Sequence, residues 1–320
     1  MRDRHHIFVC GLHRSGTSLI TRSLAEHPEV TGFSNTGVIE DEGQFLQTVM
    51  PLEISYGSVG RFGFDPRAHL TEESSLNTPD NAHKLLLQWD RHWDSTKRVR
   101  IEKTPSNLLR MRLLAELIPP SSFIIVTRHP VAACLATLKW TEGNVFSLLS
   151  HWAHCYRIAR ADALQLRSVI WTSYEAFVAD PEGERNRLLA FAGLTPCTGL
   201  GSPVRNENEK YFAQWRALYF GDGDRAIAQV PPERPRGLLT RISERLARDR
   251  HEKSLPPYRR KGNLRHFYDG LDAASLLEGA IGEFGYSFRD LQKAPNLIQA
   301  GLPAGLRDAA NANDVRATKI

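Results

Sequence analysis

The chain has 320 residues, of which 41% are hydrophobic and 24% charged; this supplies a core for one large domain or two small ones and excludes global disorder. A formal charge of +5 suits an anionic ligand, yet no stripe of Lys and Arg interleaved with aromatics appears, so nucleic acid is not expected as a partner. No apolar run reaches the ~18–20 residues of a membrane span, and the scattered Cys10, Cys134, Cys155 and Cys197 show no metal spacing and fit a reducing, cytoplasmic setting.

Residues 1–6 run directly into the first predicted strand, HIFVCG (6–11), which leaves no room for a signal peptide. GTSLITRSLAEHP (16–28) follows as a helix with Leu19, Leu24 and Ala25 on one face, ended by Pro28. A second strand is predicted at VRIEKTP (99–105), a helix at NLLRMRLLAELIPP (107–120), and the clearest strand at SSFIIVTRHP (121–130). Helices over 131–141 and 145–164 come next, then strand, turn and amphipathic helix over 168–194. Strands alternating with helices predict an α/β fold: a parallel sheet wrapped by helices.

Two segments interrupt the alternation and read as helical insertions. Residues 32–98 contain the acidic IEDEGQF and a predicted helix NAHKLLLQWDRHW (81–93). Residues 199–262 contain NENEKYFAQWRALYF (206–220), in which Tyr211 and Trp215 are candidates for an acceptor pocket, a Pro-rich stretch and part of the basic YRRKGNLRHF (258–267). Residues 1–295 are expected to form one domain, with both insertions on the acceptor side and 296–320 as a frayed tail.

Between the first strand and helix lies GLHRSGTS (11–18). Gly11 and Gly16 have the spacing of the phosphate-cradling loop G-x-x-x-x-G-K-[ST], but Thr17 stands in the lysine slot and the nearest cation is Arg14. Glycines between strand and helix let backbone N–H groups converge on an anion. Without the lysine, and without an apolar strand ending in a magnesium-binding aspartate, hydrolysis of a nucleoside triphosphate is disfavoured. An anionic ligand is kept, with Arg14 forking toward a terminal oxyanion.

GLHRSGTSL resembles the 5′-phosphosulfate loop of sulfotransferases, and FIIVTRHPVAACLATLKW resembles their 3′-phosphate segment. EKTPSNLLR and SYEAFVADPEGERNRLLAFAGL are similar to further stretches of that family, and the matches run in the family's order over about residues 7–194. The resemblance implies a doubly wound α/β fold, a parallel sheet with flanking helices like that of P-loop nucleotide triphosphatases. It also implies use of 3′-phosphoadenosine-5′-phosphosulfate (PAPS) as cofactor, with 3′-phosphoadenosine-5′-phosphate (PAP) as product and no catalytic metal. It implies transfer of a sulfuryl group by in-line displacement to a hydroxyl of a small molecule, saccharide or tyrosine.

Carried over residue by residue, the resemblance assigns Arg14, Ser15, Gly16, Thr17 and Ser18 to the phosphosulfate and Arg128 to the 3′-phosphate. Lys103 matches a lysine directed at the sulfuryl group, and Tyr174 a tyrosine near the adenine. Where the family has a serine eight positions after the arginine, this chain has Ala136, with Thr137 beside it about 100° round the helix. Arg260, Lys261 and Gly262 resemble a late stretch that contacts the 3′-phosphate in cytosolic relatives. Glu42 gives the closest match to a glutamate base after the first helix, with Glu40 second; His13, His83 and His92 are further candidates. Two other readings remain at this stage: a kinase with a degenerate loop, and a non-catalytic nucleotide-binding scaffold that the loss of the serine would suit.

Overall fold

Alternating side chains in the strands put apolar residues on both faces of one sheet, so both faces require a covering layer. In the computed structural model, which describes residues 4–141, 143–197, 204–219 and 272–295, that sheet has five parallel strands in the order β2-β3-β1-β4-β5. They are β1 (His5–Cys10), β2 (Val30–Gly32), β3 (Val99–Lys103), β4 (Ser121–Thr127) and β5 (Val169–Ser173). From β1 and β4, Ile7, Val9, Ile124 and Val126 face α1 (Thr17–Ala25) and α7 (Pro181–Phe191), packing with Ile20, Leu24, Leu188 and Leu189. Phe8, Cys10, Phe123 and Ile125 face the opposite layer, which contains α2 (Pro79–Trp89), α3 (Met111–Leu117), α4 (Pro130–Thr137) and α5 (Val145–Ala163). The doubly wound parallel sheet expected from the sequence is therefore the architecture observed.

Differences from the sequence reading are local. The buried face of α1 is Thr17, Ile20 and Leu24, with Leu19 and Ala25 on its flanks. Edge strand β2 has only three residues and carries no periodicity to read. The helix expected from 107 splits into a 3-10 turn (Pro105–Leu109) and α3, because Arg110 between them leaves helical dihedrals. Residues 32–78 fold as successive 3-10 turns, the first of them at Ile39–Asp41 and Gly43–Leu46. α6 (Tyr174–Ala179) follows β5 directly, and α8 (Asn208–Tyr219) packs against α4. Among the described residues, no helix is long and apolar enough to cross a membrane.

The register fixes what stands at the carboxyl edge of the sheet, where open α/β sheets bind ligands. Val9 pairs with Lys103 on one side of β1, and Cys10 pairs with Ile125 on the other. The turn after β1 thus lies between the end of β3 and the end of β4.

Candidate active site

The turn at 11–16 is shaped by close approaches. A Cβ on Gly11 would lie 2.5 Å from the Val126 carbonyl oxygen, and one on Gly16 would lie 2.9 Å from Tyr174 Cδ2. Arg14 and Gly16 take left-handed backbone conformations, φ 65° and 99°, which glycine tolerates and arginine adopts only when its surroundings impose it. Those surroundings are visible: the Arg14 carbonyl accepts from Arg128 Nη1 at 2.9 Å, and its guanidinium lies 5.0 Å from the centroid of Trp140. The Tyr156 hydroxyl, donating to the Val126 carbonyl at 2.6 Å and accepting from the Leu12 N–H at 3.3 Å, ties the turn to β4. Gly16 caps α1 and has no side chain to bond the first-turn N–H groups, the kind of helix start at which anions bind.

On the β4 side, Arg14, Gly16, Thr17, Ser18, Arg22, Arg128 and Tyr174 line a cleft of about 420 Å³, closed by Arg205 and Glu207 just before α8 and by Lys210 and Tyr211 in its first turn. Arg128 is buried. Its Nε donates to Asn208 Oδ1 at 2.8 Å, its Nη1 to the Arg14 carbonyl, and its Nη2 has no hydrogen-bond partner among the described residues. The guanidinium lies 4.1 Å from the centroid of Tyr174 and 5.5 Å from that of Tyr211. Asn208 is held in turn by Glu175, whose Oε1 also accepts from the His129 N–H. The Tyr174 hydroxyl donates to the Arg205 carbonyl and accepts from the Glu207 N–H. Burial lowers the pKa of Arg128 from its ordinary value; an anion in the cleft would offset that cost.

On the β3 side, Lys103 Nζ is 3.2 Å from Glu42 Oε1 and donates to the Glu40 carbonyl at 3.0 Å. Glu42 Oε2 accepts from Gln44 Nε2 at 2.7 Å. Beneath them Glu102, buried, accepts from the Gly43 N–H, Thr104 Oγ1 and Asn107 Nδ2, and burial pushes its carboxyl up to about 7. Glu40 and Asp41 both have positive φ. The Thr36 hydroxyl and N–H hold Asp41 and keep its carboxyl below the usual range. His13, one residue before Arg14, is 3.1 Å from Glu53 Oε1. Burial disfavours its charge, but Glu53 outweighs that and raises its pKa, with Glu42 adding to the effect.

The structure thus brings Arg14, Gly16, Thr17, Ser18, Arg128 and Tyr174 to one cleft, and Glu42 and Lys103 to the other flank of the turn. Glu40 supplies its carbonyl there, its side chain being exposed. Ser15 does not face the cleft: its hydroxyl is buried and donates to the Leu12 carbonyl, so it shapes the turn from inside. Thr137 does not reach Arg128 either. Its hydroxyl donates to the Ala133 carbonyl at 2.7 Å, and it lines a separate cavity of about 30 Å³ with His13 and His151. Trp215 is core, against Phe288, whereas Tyr211 stands on the Arg128 cleft. Arg260, Lys261 and Gly262 lie outside the described residues. Sequence reading passed over Gln44, Glu53, Asn208 and Lys210; Gln44 lies within IEDEGQF, and Asn208 and Lys210 within NENEKYF, and those stretches are the signal that marks them.

A family model described as the sulfotransferase family matches residues 6–197. No curated protein matches the chain. Similar solved structures include the sulfotransferase domain from the Synechococcus PCC 7002 olefin synthase, 18% identical, covering 77% of this chain and 95% of that one, with a TM-score of 0.38. A sulfotransferase from Alicyclobacillus acidocaldarius is 16% identical over 74% of this chain and 98% of its own, TM-score 0.41. A retinol dehydratase solved with retinol and PAP is 11% identical over 67% and 64%, TM-score 0.29.

Proposed function

The chain belongs to the sulfotransferase family, and from that premise we propose that it transfers a sulfuryl group from PAPS to a hydroxyl of a small-molecule, saccharide or tyrosine acceptor. The observation that carries this reading is the pair of clusters on opposite flanks of one turn: Arg128 with an unpartnered Nη2 on one side, Lys103 with Glu42 on the other. An anionic nucleotide fits the first, and an acceptor hydroxyl the second.

In this reading the N–H groups of Gly16, Thr17 and Ser18 and the Arg14 guanidinium hold the 5′-phosphosulfate. Arg128 holds the 3′-phosphate, and Tyr174 walls the nucleotide cleft beside Gly16. PAPS supplies an activated sulfuryl group with PAP as the leaving group. Arg14 and the turn amides stabilise the charge that develops on the leaving phosphate, a role that positioned cations and N–H donors perform without a metal ion. Lys103 neutralises charge on the sulfuryl oxygens, and Glu42 accepts the acceptor's proton as general base. Gln44 and the Glu102 network hold residues 42–44 against the end of β3. The described cysteines are all free thiols, which fits the cytoplasmic site we propose.

The test is mass spectrometry of hydroxyl-bearing acceptors incubated with the protein and PAPS in excess chelator, beside a reaction with ATP and magnesium. An added sulfuryl group in the first reaction only supports the reading; transfer in the second only would replace it with a phosphotransferase.

A further inference from the structure

With Thr137 bonded to its own helix and alanine at 136, the α4 segment offers the nucleotide cleft no side-chain hydroxyl from these two positions. α8 offers something else. Its Tyr211 ring carries two cations: the Arg128 guanidinium at 5.5 Å from the centroid and Lys210 Nζ at 5.0 Å. Two positive charges held near one ring repel each other; at Lys210 the hydrogen bond to Glu207 outweighs that repulsion and raises the pKa of the ammonium. Among the described residues, the only carboxylate lining this cleft is that of Glu207, which is ion-paired to Lys210. That pair is half exposed, joining Lys210 to the residue just before α8, and contributes little by itself. Arg128 Nη2, fully buried, has no acceptor among the described residues. Asn208, at the first turn of α8, holds Arg128 Nε at 2.8 Å and so fixes the distance between the guanidinium and this helix.

We propose that Lys210 is the residue that reads the 3′-phosphate: with Arg128 it forms a two-cation clamp whose second arm comes from α8, in place of the hydroxyl missing from α4. This rests on the proposed use of PAPS. In the nucleotide-free state Glu207 occupies Lys210; a phosphate between Lys210 and Arg128 exchanges that single exposed pair for a dianion facing two cations. Charge-assisted hydrogen bonds of this kind are among the strong ones, and they exist only for a nucleotide phosphorylated at the 3′ position. Lys210 therefore sets preference for a 3′-phosphorylated nucleotide over an otherwise identical one, and contributes nothing to the 5′ end.

The experiment is calorimetric titration of the full chain with PAP and, separately, with 5′-AMP, which lacks the 3′-phosphate. The wild type is expected to bind PAP more tightly. Lys210→Met, which keeps the apolar stem over Tyr211, is expected to lose about tenfold or more in PAP affinity with 5′-AMP affinity unchanged. Lys210→Arg is expected to retain the preference. Equal losses for both ligands, or an unchanged ratio in Lys210→Met, would overturn the clamp while leaving PAPS use standing. A wild type that binds neither ligand would overturn the PAPS reading itself, and the clamp with it.

Discussion

Lys103 and Glu42 face each other at 3.2 Å, both buried, one from the end of β3 and the other from a loop 61 residues earlier in the chain. The loop reaches the lysine because Glu40 and Asp41 turn through positive φ and Gly43 docks on Glu102. A Cβ at Gly43 would fall 2.4 Å from Glu102 Oε1.

For Glu42→Gln, turnover is expected to fall by about 10²–10⁴-fold, the usual worth of a general base, while PAP affinity stays near wild type. Steady-state kinetics paired with calorimetry check this. Equal losses in affinity and turnover would move Glu42 from chemistry to scaffolding.

Arg14→Ala and Arg128→Ala are each expected to weaken PAP binding by about 10–100-fold, as for loss of charged hydrogen bonds. With Arg14 on the 5′ end, as proposed, its replacement is expected to weaken 5′-AMP and PAP alike. Retained sulfuryl transfer in the double variant would show that the turn is not the nucleotide site.

Gly16→Ala places a methyl group 2.9 Å from Tyr174 in a left-handed conformation. A stability loss of about 1–2 kcal/mol is expected, together with loss of PAP binding. Gly37→Ala is the control: φ is +81° but nothing lies within 4 Å, so strain without loss of binding is expected. Thermal melts and titration of both variants separate backbone strain from damage to the site.

Acid sensitivity follows from buried histidines. Burial holds His6, His129 and His151 neutral, each down at about 3 against 6.5 in the unfolded chain. Between pH 6.5 and 3 the unfolded state binds more protons, so stability is lost as pH falls, by up to about 1.4 kcal/mol per pH unit per histidine. Glu102, pushed up to about 7 from 4.5, acts in the opposite sense between those values; one carboxyl does not cancel three imidazoles. Urea unfolding at pH 7.5, 6.5 and 5.5 is expected to show falling stability. His129→Asn, which keeps an acceptor for the Val131 N–H at the start of α4, is expected to flatten the acid limb. Stability that rises on acidification would reverse this assignment.

Much of the scaffold was legible because its signals are local. FIIV reads as a buried strand on β-branched content alone, and the α5 periodicity runs over nineteen residues. The turn was legible because Gly11 is required by the close approach of the Val126 carbonyl and Gly16 by a left-handed φ against the Tyr174 ring, constraints that leave a spacing in the sequence. Pairings between distant segments were not. Nothing local to Lys210 says that it shares a ring with Arg128, and nothing local to Thr137 says that its hydroxyl is bound within α4. Ser15 sits in the motif yet points inward, since a tight turn has an inside as well as a mouth.

The central claim is that the turn after β1, with Arg14 and Arg128, grips a 3′,5′-phosphorylated adenosine through cations and amides alone. Calorimetric titration of the wild-type chain with PAP in excess chelator tests it most directly. The account predicts saturable one-to-one binding that is lost in the Arg14→Ala, Arg128→Ala double variant. Absence of binding, or binding that appears only when magnesium is restored, would contradict it.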